Sequence, residues 1–312
     1  MINIDIDLVY LWVDGNDSSW IAKRNAFMGT TPENEGNCKG RYEDNDELKY
    51  SLRSIEKYAP WIRNIFIVTD NQVPKWLDTS NPKIKIIDHT EILPSECLPC
   101  FNSVILEHHL HKIPGLSEYF LYANDDLFIN KPVSPERFFT EDLQPIIRMN
   151  RRMLKKWLVL YKEKVLGRRL HIYSKTIHNA ALLVEKKFGV FYNSKTHHNI
   201  DAYKKSTYTQ TREMFDEEIR KTLCNHMRSS NDIQRNLYSY VALATKQGHL
   251  CYVNKHTSFY IPVDNRESYK KFLRYNPMLF CLNDSQHCSD EDRAYATEFI
   301  SRLFPEKSQF EK

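Results

Sequence analysis

An amide and two adjacent carboxylates end the segment at positions 119–126, whose sequence is Tyr-Phe-Leu-Tyr-Ala-Asn-Asp-Asp. The apolar, aromatic-rich part of this segment is typical of a buried strand. A carboxylate beside a buried strand is costly unless it is paired or binds a cation, so Asp125 and Asp126 predict a divalent metal site. Ligands of α/β proteins usually lie at strand ends, and this site would hold a phosphorylated donor. The alternative is an Asn-Asp turn without a ligand.

Other polar residues lie beside predicted strand and helix ends, in a set of types that phosphate chemistry requires. A metal ion and an arginine neutralise phosphate oxygens, while a histidine or carboxylate accepts the proton of an attacking hydroxyl. Each residue also has a purely structural alternative, such as helix capping for Asp44 or a surface ion pair for Arg228. Residue types and spacing alone indicate an α/β enzyme that acts on a phosphorylated substrate. The candidates are Asp7, Asp14, Arg41, Glu43, Asp44, Asn45, His197, His198, Arg228, Asp232, Asn283 and Asp284.

Apolar periodicity predicts the elements that must position these residues. Alternating strands and helices predict βαβ units and a mainly parallel sheet. Asp44 or Asn45 is predicted to cap the helix at 46–59, and Ser289 with Asp292 the last helix. Strands are predicted at 6–13, 64–69, 83–88, 119–124, 250–253 and 258–261, and helices at 46–59, 103–113, 232–247 and 289–303.

The chain shows no Pro/Ser-rich linker, which predicts one domain over residues 1–312 with a helical insertion at 148–225. Within that insertion, residues 148–169 contain nine Lys or Arg and a single acid. Leu154, Leu158 and Tyr161 fall on one helical face there. The pattern predicts a basic amphipathic helix, which either contacts a membrane surface or polyanion or covers the core with a solvated face.

Composition limits the class of protein. Of the 312 residues, 41% are hydrophobic, which excludes global disorder, and the net charge of +4 is too small to indicate nucleic-acid binding. No apolar run approaches the ~18 residues of a membrane-spanning helix, and no signal peptide is seen. Cys97 and Cys100 form the one CxxC motif without a convincing second pair, so reduced thiols in a cytosolic protein are favoured over zinc.

Four blocks of sequence, in order along the chain, carry a family resemblance. The first is IDLVYLWVDG at 6–15, and the second runs from RYEDNDELKYSLRSI at 41–55 through APWIRNIFIVTD at 59–70 to PKWL at 74–77, LPCFNS at 98–103 and NDD at 124–126. The third comprises KFG at 187–189, His198 and MRSSND at 227–232, and the fourth FCLND at 280–284 and FPEKSQF at 304–310. Together they resemble the Stealth proteins, which include bacterial capsular-polysaccharide sugar-phosphate transferases and the catalytic subunit of lysosomal-enzyme N-acetylglucosamine-1-phosphotransferase.

The resemblance implies a glycosyltransferase-A-like (Rossmann-like) α/β fold and transfer of a whole sugar-1-phosphate. An acceptor hydroxyl would attack the β-phosphorus of a UDP-sugar, UMP would leave, and a phosphodiester would form in a capsular or cell-surface polysaccharide. N-acetylhexosamine-1-phosphate is the expected group. A conventional metal-dependent glycosyltransferase would release UDP instead, and a carbohydrate-binding module would show no turnover.

The resemblance also implies roles for individual residues. Arg228 would bind the β-phosphate and His198 would act as general base. Asp44 and Asp7 would orient the donor or complete the coordination of Mg²⁺ or Mn²⁺, which Asp125 and Asp126 would bind. The residues expected to bind substrate are Asp14, Arg41, Asn45, Asn102, Asp232, Asn283 and Asp284.

One departure from the family pattern concerns the histidine. Family members often carry His-x-Pro in the third block, whereas this chain has His198-Asn199-Ile200, and His197 and His178 stay open as alternatives. The expected partners are a UDP-sugar and a glycan acceptor, free or lipid-linked, and no nucleic acid. The expected location is the cytoplasm, with peripheral contact at the inner face of the membrane as an open alternative.

Overall fold

A computed structural model of the chain describes residues 2, 4–29, 42–153, 156, 157, 159, 161, 165–167 and 170–312. Arg41, predicted to bind substrate, lies outside these residues. Leu154 and Leu158 of the predicted basic helix lie outside them as well. The role of Arg41 therefore stays a prediction.

A five-stranded sheet forms the centre of the molecule. In spatial order its strands are β3 (Ile84–Asp88), β2 (Ile65–Thr69), β1 (Ile6–Leu11), β4 (Tyr119–Asn124) and β8 (Asp201–Lys204). The first four are parallel, whereas β8 pairs antiparallel with β4. Every residue of β1 and β2 is buried, as expected for parallel strands that are covered on both faces. The prediction of an α/β fold with a mainly parallel sheet is confirmed.

Two smaller sheets lie beside the central one. One has the order β10 (Ser258–Pro262), β11 (Leu279–Asn283), β5 (Leu127–Ile129), and the other β7 (Ser194–Thr196), β6 (Ile146–Met153), β9 (His249–Tyr252). The chain leaves the central sheet at the end of β4 and enters the first small sheet at β5 within two residues. Those two residues are Asp125 and Asp126, which therefore lie at the junction of two sheets.

Ten α-helices lie among the strands in the described part of the chain. They are α1 (Ser18–Met28), α2 (Glu47–Tyr58), α3 (His89–Ile92), α4 (Ser103–Glu107), α5 (Ile172–Phe188), α6 (Lys205–Met214), α7 (Asp216–Arg220), α8 (Asn236–Ala244), α9 (Arg266–Tyr275) and α10 (Asp290–Leu303). Leu48, Leu52 and Ile55 of α2 are buried in the core cluster that also contains residues of β1. The capping box predicted for Ser289 and Asp292 is confirmed.

Two predicted helix boundaries are wrong. Helix α2 is preceded by Asp46, in a left-handed conformation with φ of 67° and without a side-chain cap, rather than capped by Asp44 or Asn45. The helix predicted at 103–113 ends at Glu107, and a separate 3₁₀ turn follows at Leu110–Lys112. Instead of capping the helix, Asn45 donates hydrogen bonds from its backbone N–H and its side-chain amide to the carboxylate of Glu47.

The basic segment differs most from its prediction. Its first part, through Met153, is strand β6, which pairs with β7 and β9. Ile147 and Met149 are buried with the two-residue period of a strand. The insertion predicted at 148–225 holds α5, α6 and α7 but also strands β7 and β8, and β8 completes the central sheet. Among the described residues, no helix is both long and apolar enough to span a membrane.

Candidate active site

A cleft opens where the carboxyl ends of β1 and β4 meet the junction between β4 and β5. Leu11 at the end of β1 pairs in register with Asn124 at the end of β4, so both strands deliver their following residues to one place. The chain after β11 reaches the same place, because β11 pairs with β5. We call this cleft the main cleft. The predicted residues that line it are Glu43, Asn102, Asp125, Asp126, His198, Arg228, Asn283 and Asp284.

Carboxyl groups concentrate on one side of the main cleft. Burial, followed by repulsion from Asp126, holds the pKa of Asp125 well above its usual range, and Glu47 and Asp44 add to the repulsion. Burial raises the pKa of Glu47 to about 7, against the effect of its hydrogen bonds from Asn45. Burial raises the pKa of Asp44 to about 6. This side of the cleft is therefore short of positive charge.

These carboxyl groups suit a hard divalent cation. The described residues contain no ready cluster of three or more His, Cys, Asp or Glu side chains arranged to hold a metal. Magnesium, however, is commonly bound through one or two carboxylates together with water and substrate phosphates. Oδ1 of Asp126 is buried and has no hydrogen-bond partner within the described part of the chain, which leaves it available to a cation. The donor chemistry of Asp125 and Asp126 thus fits Mg²⁺ or Mn²⁺ bound jointly with a phosphorylated ligand.

His198 lies beside the same carboxylate. Its Nε2 is 3.2 Å from Oδ2 of Asp126, so the two oxygens of Asp126 have different surroundings. His197 does not line the main cleft, and its Nδ1 is 2.8 Å from Oγ of Ser258. Burial lowers the pKa of His197 to about 4. His178 is buried on α5 and does not line the main cleft. Of the three histidines considered, His198 alone lines the main cleft.

Arg228 lines the main cleft together with the carboxyl groups. Its guanidinium donates to Oγ of Ser103 over 2.9 Å, and no carboxylate of the described residues lies within ion-pair distance of it. A half-buried guanidinium without a carboxylate partner is a suitable ligand for an anion. The position of Arg228 beside His198 and Asp126 is what phosphate binding requires.

Two fully buried residues hold the loop that carries Arg228. Nδ2 of Asn102 donates to Oδ2 of Asp232 over 2.9 Å and to the carbonyl of Asn225 over 2.9 Å. Asp232 also accepts from the backbone N–H of Ser229 over 2.9 Å and from Asn225 over 2.6 Å. Because both side chains are occupied with this loop, we interpret Asn102 and Asp232 as positioning residues for Arg228 rather than as substrate ligands.

Replacement of Asp232 by alanine is expected to weaken both the fold and catalysis. It leaves buried N–H donors without an acceptor, which typically costs ~1–3 kcal/mol per group. It also releases the loop, so turnover should fall in the otherwise unchanged chain. In an Arg228→Ala background the same change should have little further effect on turnover, because the residue it positions is gone. Thermal unfolding and turnover of the two single variants and the double variant test this, and an equal loss in both backgrounds contradicts a positioning role.

Aromatic rings form the wall of the main cleft opposite the junction of the sheets. The ring centroid of Trp20 on α1 lies 5.1 Å from that of Tyr42 and 5.5 Å from that of Phe101. The backbone of Tyr42 lies against Gly15, in the loop between β1 and α1, and the N–H of Gly15 donates to the Tyr42 carbonyl over 2.7 Å. A Cβ at position 15 would lie 2.1 Å from that oxygen, so only glycine permits this approach. The wall offers flat apolar surface to a planar ligand group.

Asp7 is not part of the site. It lies at the amino end of β1 and is fully buried, with its carboxylate 2.7 Å from the Arg63 guanidinium. It also accepts from the backbone N–H groups of Asn64 over 3.1 Å and Ser117 over 2.7 Å. The geometry gives no support to the catalytic role predicted for Asp7, because its carboxylate is saturated at the amino end of β1 and does not line the cleft, and that role stays a prediction.

The remaining predicted substrate ligands are engaged within the protein to different degrees. Asp284 lines the main cleft but accepts from Arg293, with Nε 2.7 Å from Oδ2, and Asn283 donates to the Asp284 carbonyl over 3.1 Å. Asp14 bonds to the N–H of Asn16 over 2.8 Å and lies outside the cleft lining. Asn45 also lies outside that lining, as does Asp44, which was predicted to orient the donor or complete the metal coordination. Asp284 and Asn283 are thus the members of this group that line the cleft.

Sequence reasoning missed several residues of the site. Glu47 lines the main cleft, yet an acidic residue in the first turn of a helix is ordinarily explained by the helix dipole. Asn124 also lines it, and its Oδ1 accepts from the Tyr122 hydroxyl over 2.8 Å. The aromatic wall gave no signal, because Trp20 and Phe101 are distant in sequence and typical of ordinary core residues.

Comparison with known proteins places these features in a family. The family descriptions "Stealth protein CR1, conserved region 1" and "Stealth protein CR2, conserved region 2" match residues 5–31 and 41–147. The chain is 34% identical to capsular polysaccharide phosphotransferase fcs1 of Haemophilus influenzae, over 90% of this chain and 79% of the relative. It is 32% identical to exopolysaccharide phosphotransferase cps2G of Lactiplantibacillus plantarum, over 99% of this chain and 96% of the relative.

Some relatives are much longer than this chain. Exopolysaccharide phosphotransferase SCO2592 of Streptomyces coelicolor is 34% identical over the whole of this chain, which spans only 33% of that relative. The chain likewise spans 53% of the Streptomyces coelicolor relative SCO6023. The chain thus spans between a third and about half of the length of these two relatives.

Solved structures resemble the fold more distantly. The galactosyltransferase LgtC has a TM-score of 0.44 at 10% identity, with 96% of this chain and 95% of that chain covered. Mouse xyloside xylosyltransferase 1 has a TM-score of 0.43 at 10% identity, with 90% and 98% covered. These scores are too low to carry an argument. The sequence relatives and both family matches do carry one, and they show that the chain belongs to the Stealth family.

Proposed function

We propose that this chain, as one catalytic domain over residues 1–312, transfers hexose-1-phosphate from a UDP-sugar to a sugar hydroxyl. The product is a phosphodiester in a capsular or cell-surface polysaccharide. The observation that carries the proposal is the convergence of Asp125, Asp126, His198 and Arg228 on one cleft. An acid pair, an imidazole and a guanidinium together are the groups that transfer of a phosphoryl group requires.

The donor is proposed to occupy the main cleft with its diphosphate between Asp126 and Arg228. The aromatic wall formed by Trp20, Tyr42 and Phe101 offers a stacking surface for the uracil ring. Arg228 binds an oxygen of the β-phosphate and offsets the charge that grows there in the transition state. A divalent cation bound by Asp125 and Asp126 would neutralise diphosphate oxygens when present.

His198 is proposed to accept the proton of the acceptor hydroxyl. In the tautomer in which Nε2–H donates to Oδ2 of Asp126, the lone pair of Nδ1 is available as the base. The acceptor oxygen then forms a bond to the β-phosphorus, and the bond from that phosphorus to the bridging oxygen breaks. UMP carries away the electron pair of that bond, the bond between the sugar C1 and its oxygen stays intact, and the proton remains on His198.

The nucleotide released from a UDP-sugar is the test of this proposal. We expect UMP in amounts equal to the phosphodiester formed, as followed by ion-exchange chromatography and phosphorus NMR with a panel of UDP-hexoses. Replacement of His198 by glutamine should reduce UMP release by ~100-fold or more, the usual range for loss of a general base. Release of UDP with a new glycosidic bond contradicts the proposal and identifies a conventional glycosyltransferase.

A further inference from the structure

A second cavity adjoins the main cleft, and we call it the side cavity. Ser103, Asn124, His198 and Arg228 line both spaces, and two of these shared residues, His198 and Arg228, are proposed reacting groups. The rest of the side cavity is built by the start of α5, by β7 and by the segment before α8. A ligand in the side cavity would therefore meet the donor at His198 and Arg228.

The lining of the side cavity differs in chemistry from that of the main cleft. Its walls carry the neutral hydrogen-bonding groups of Thr176, Thr196 and Gln234 beside the ring of Tyr173. The charged residues Asp232 and Arg235 also line it, but both are engaged within the protein, with Asn102 and Asp201 respectively. Asp125 and Glu47, which suit a cation in the main cleft, do not line it. Hydroxyl and amide groups beside an aromatic ring suit a neutral polyhydroxy ligand better than a second diphosphate.

Glu107 supplies an independent sign of a ligand. The side chain lines the side cavity although only 4% of the residue is exposed. Its Oε1 accepts from the Tyr122 hydroxyl over 3.0 Å, whereas Oε2 is buried and has no hydrogen-bond partner among the residues described. A buried carboxylate oxygen without a donor is costly, and a ligand hydroxyl can provide the missing hydrogen bond.

Arg235 compensates the charge of Glu107 without satisfying that oxygen. Its Nε lies 3.6 Å from Oε1 of Glu107, and its NH1 donates to Oδ2 of Asp201 over 2.5 Å. The guanidinium also stacks on Tyr122, 4.3 Å from the ring centroid. Glu107 is thus held in place from one side, with its second oxygen left for a donor from the cavity.

We propose that the side cavity binds the acceptor glycan, through a hexose or N-acetylhexosamine hydroxyl that donates to Oε2 of Glu107. A neighbouring hydroxyl of the same sugar then lies between His198 and Arg228 and acts as the nucleophile. This inference rests on the proposed function, because it assigns the second substrate of that reaction. It makes Glu107 an acceptor-binding residue and Tyr173 the surface for the sugar ring.

Glycan binding can be measured without turnover. Saturation-transfer difference NMR is recorded with the full chain and methyl glycosides of glucose, galactose, mannose, N-acetylglucosamine and N-acetylmannosamine, in the absence of donor. We expect at least one glycoside to bind and UMP not to displace it. Glu107→Gln keeps the oxygen that accepts from Tyr122 and replaces Oε2 by an amide nitrogen, so the apparent Kd should rise at least ~10-fold, equivalent to ~1.4 kcal/mol.

Two further variants make the test specific. Tyr173→Ala should weaken glycoside binding as well, and it stands in for Glu107→Gln should that variant fail to fold. Tyr252→Ala removes a tyrosine that is 45% exposed on β9, outside both spaces, and should bind as the unchanged chain does. The proposal is overturned if no glycoside binds, if UMP displaces the glycoside, or if both cavity variants bind normally. Binding without UMP release in turnover assays would instead contradict the proposed function and leave the side cavity supported.

Discussion

Replacement of Arg228 by alanine is expected to lower turnover by ~100-fold or more, the usual loss when a donor to developing negative charge is removed. Arg228 lines both the main cleft and the side cavity, and its guanidinium donates a hydrogen bond to Ser103. Because Asn102 and Asp232 hold the loop, the variant should fold normally. Lysine at this position should recover only part of the rate, because an ammonium group cannot bind two phosphate oxygens in a fork. Turnover and thermal unfolding of the purified variants measure both effects.

The matched control for Arg228 is Arg302→Ala. Arg302 is an exposed arginine on α10 that pairs with Glu298 on the same helix. Its loss removes one positive charge far from the main cleft, and exposed ion pairs of this kind contribute little to stability. Turnover should therefore stay close to that of the unchanged chain. Equal rates for both variants would remove Arg228 from the proposed reaction.

Chelation of divalent cations is expected to abolish transfer, and Mg²⁺ or Mn²⁺ should restore it. The same cations should stabilise the protein, because they offset the burial and the carboxylate repulsion that together raise the pKa of Asp125. A ligand present at 100 times its Kd contributes ~2.7 kcal/mol, so a rise in Tm of about 4 °C is expected for a chain of this length. Asp125→Asn should eliminate both the activity and the rise in Tm. Full activity in chelator, or an unchanged rise in Tm in the variant, contradicts the metal site.

The control for Asp125 is Asp264→Asn, which changes an exposed carboxylate in the turn before α9. This variant should respond to Mg²⁺ as the unchanged chain does. The pH dependence provides a second check through Glu47, whose pKa is raised from 4.5 to about 7. A carboxyl group with a raised pKa stabilises the fold at low pH, and that contribution is lost as the pH rises from about 4.5 through 7. The rise in Tm caused by Mg²⁺ should consequently be larger at pH 8 than at pH 5.

The inner strands β1, β2 and β4 of the central sheet could be predicted from sequence because they are nearly continuous apolar runs, whereas β8 is not such a run and lies within the predicted helical insertion. The residues 65–69 and 119–124 show no helical periodicity, and their flanking polar groups mark the strand ends. Strand β6 could not be predicted in the same way. Arg148 and Asn150 alternate with Ile147 and Met149, but this two-residue pattern is short, and a longer helical pattern that begins at Leu154 favours a helix.

The site was predicted where the residue type itself is unusual for its position. Asp125 and Asp126 are conspicuous after an apolar strand, and they line the main cleft. Glu47 is inconspicuous at the start of a helix, and only the packing of α2 beside β5 brings it to the cleft. Asn102 and Asp232 were predicted as ligands, because a sequence does not reveal whether a polar side chain meets a substrate or the protein's own backbone.

The hydrogen bonds of Asp7 tie together the beginnings of three neighbouring strands. Its carboxylate joins β1 to the segments that lead into β2, through Arg63 and Asn64, and into β4, through Ser117. Harm from a substitution here would appear as a low yield of folded enzyme, while each molecule that does fold would work at a nearly normal rate. Mutational surveys that score only product would group Asp7 with Arg228, and normalising to soluble protein would separate the two.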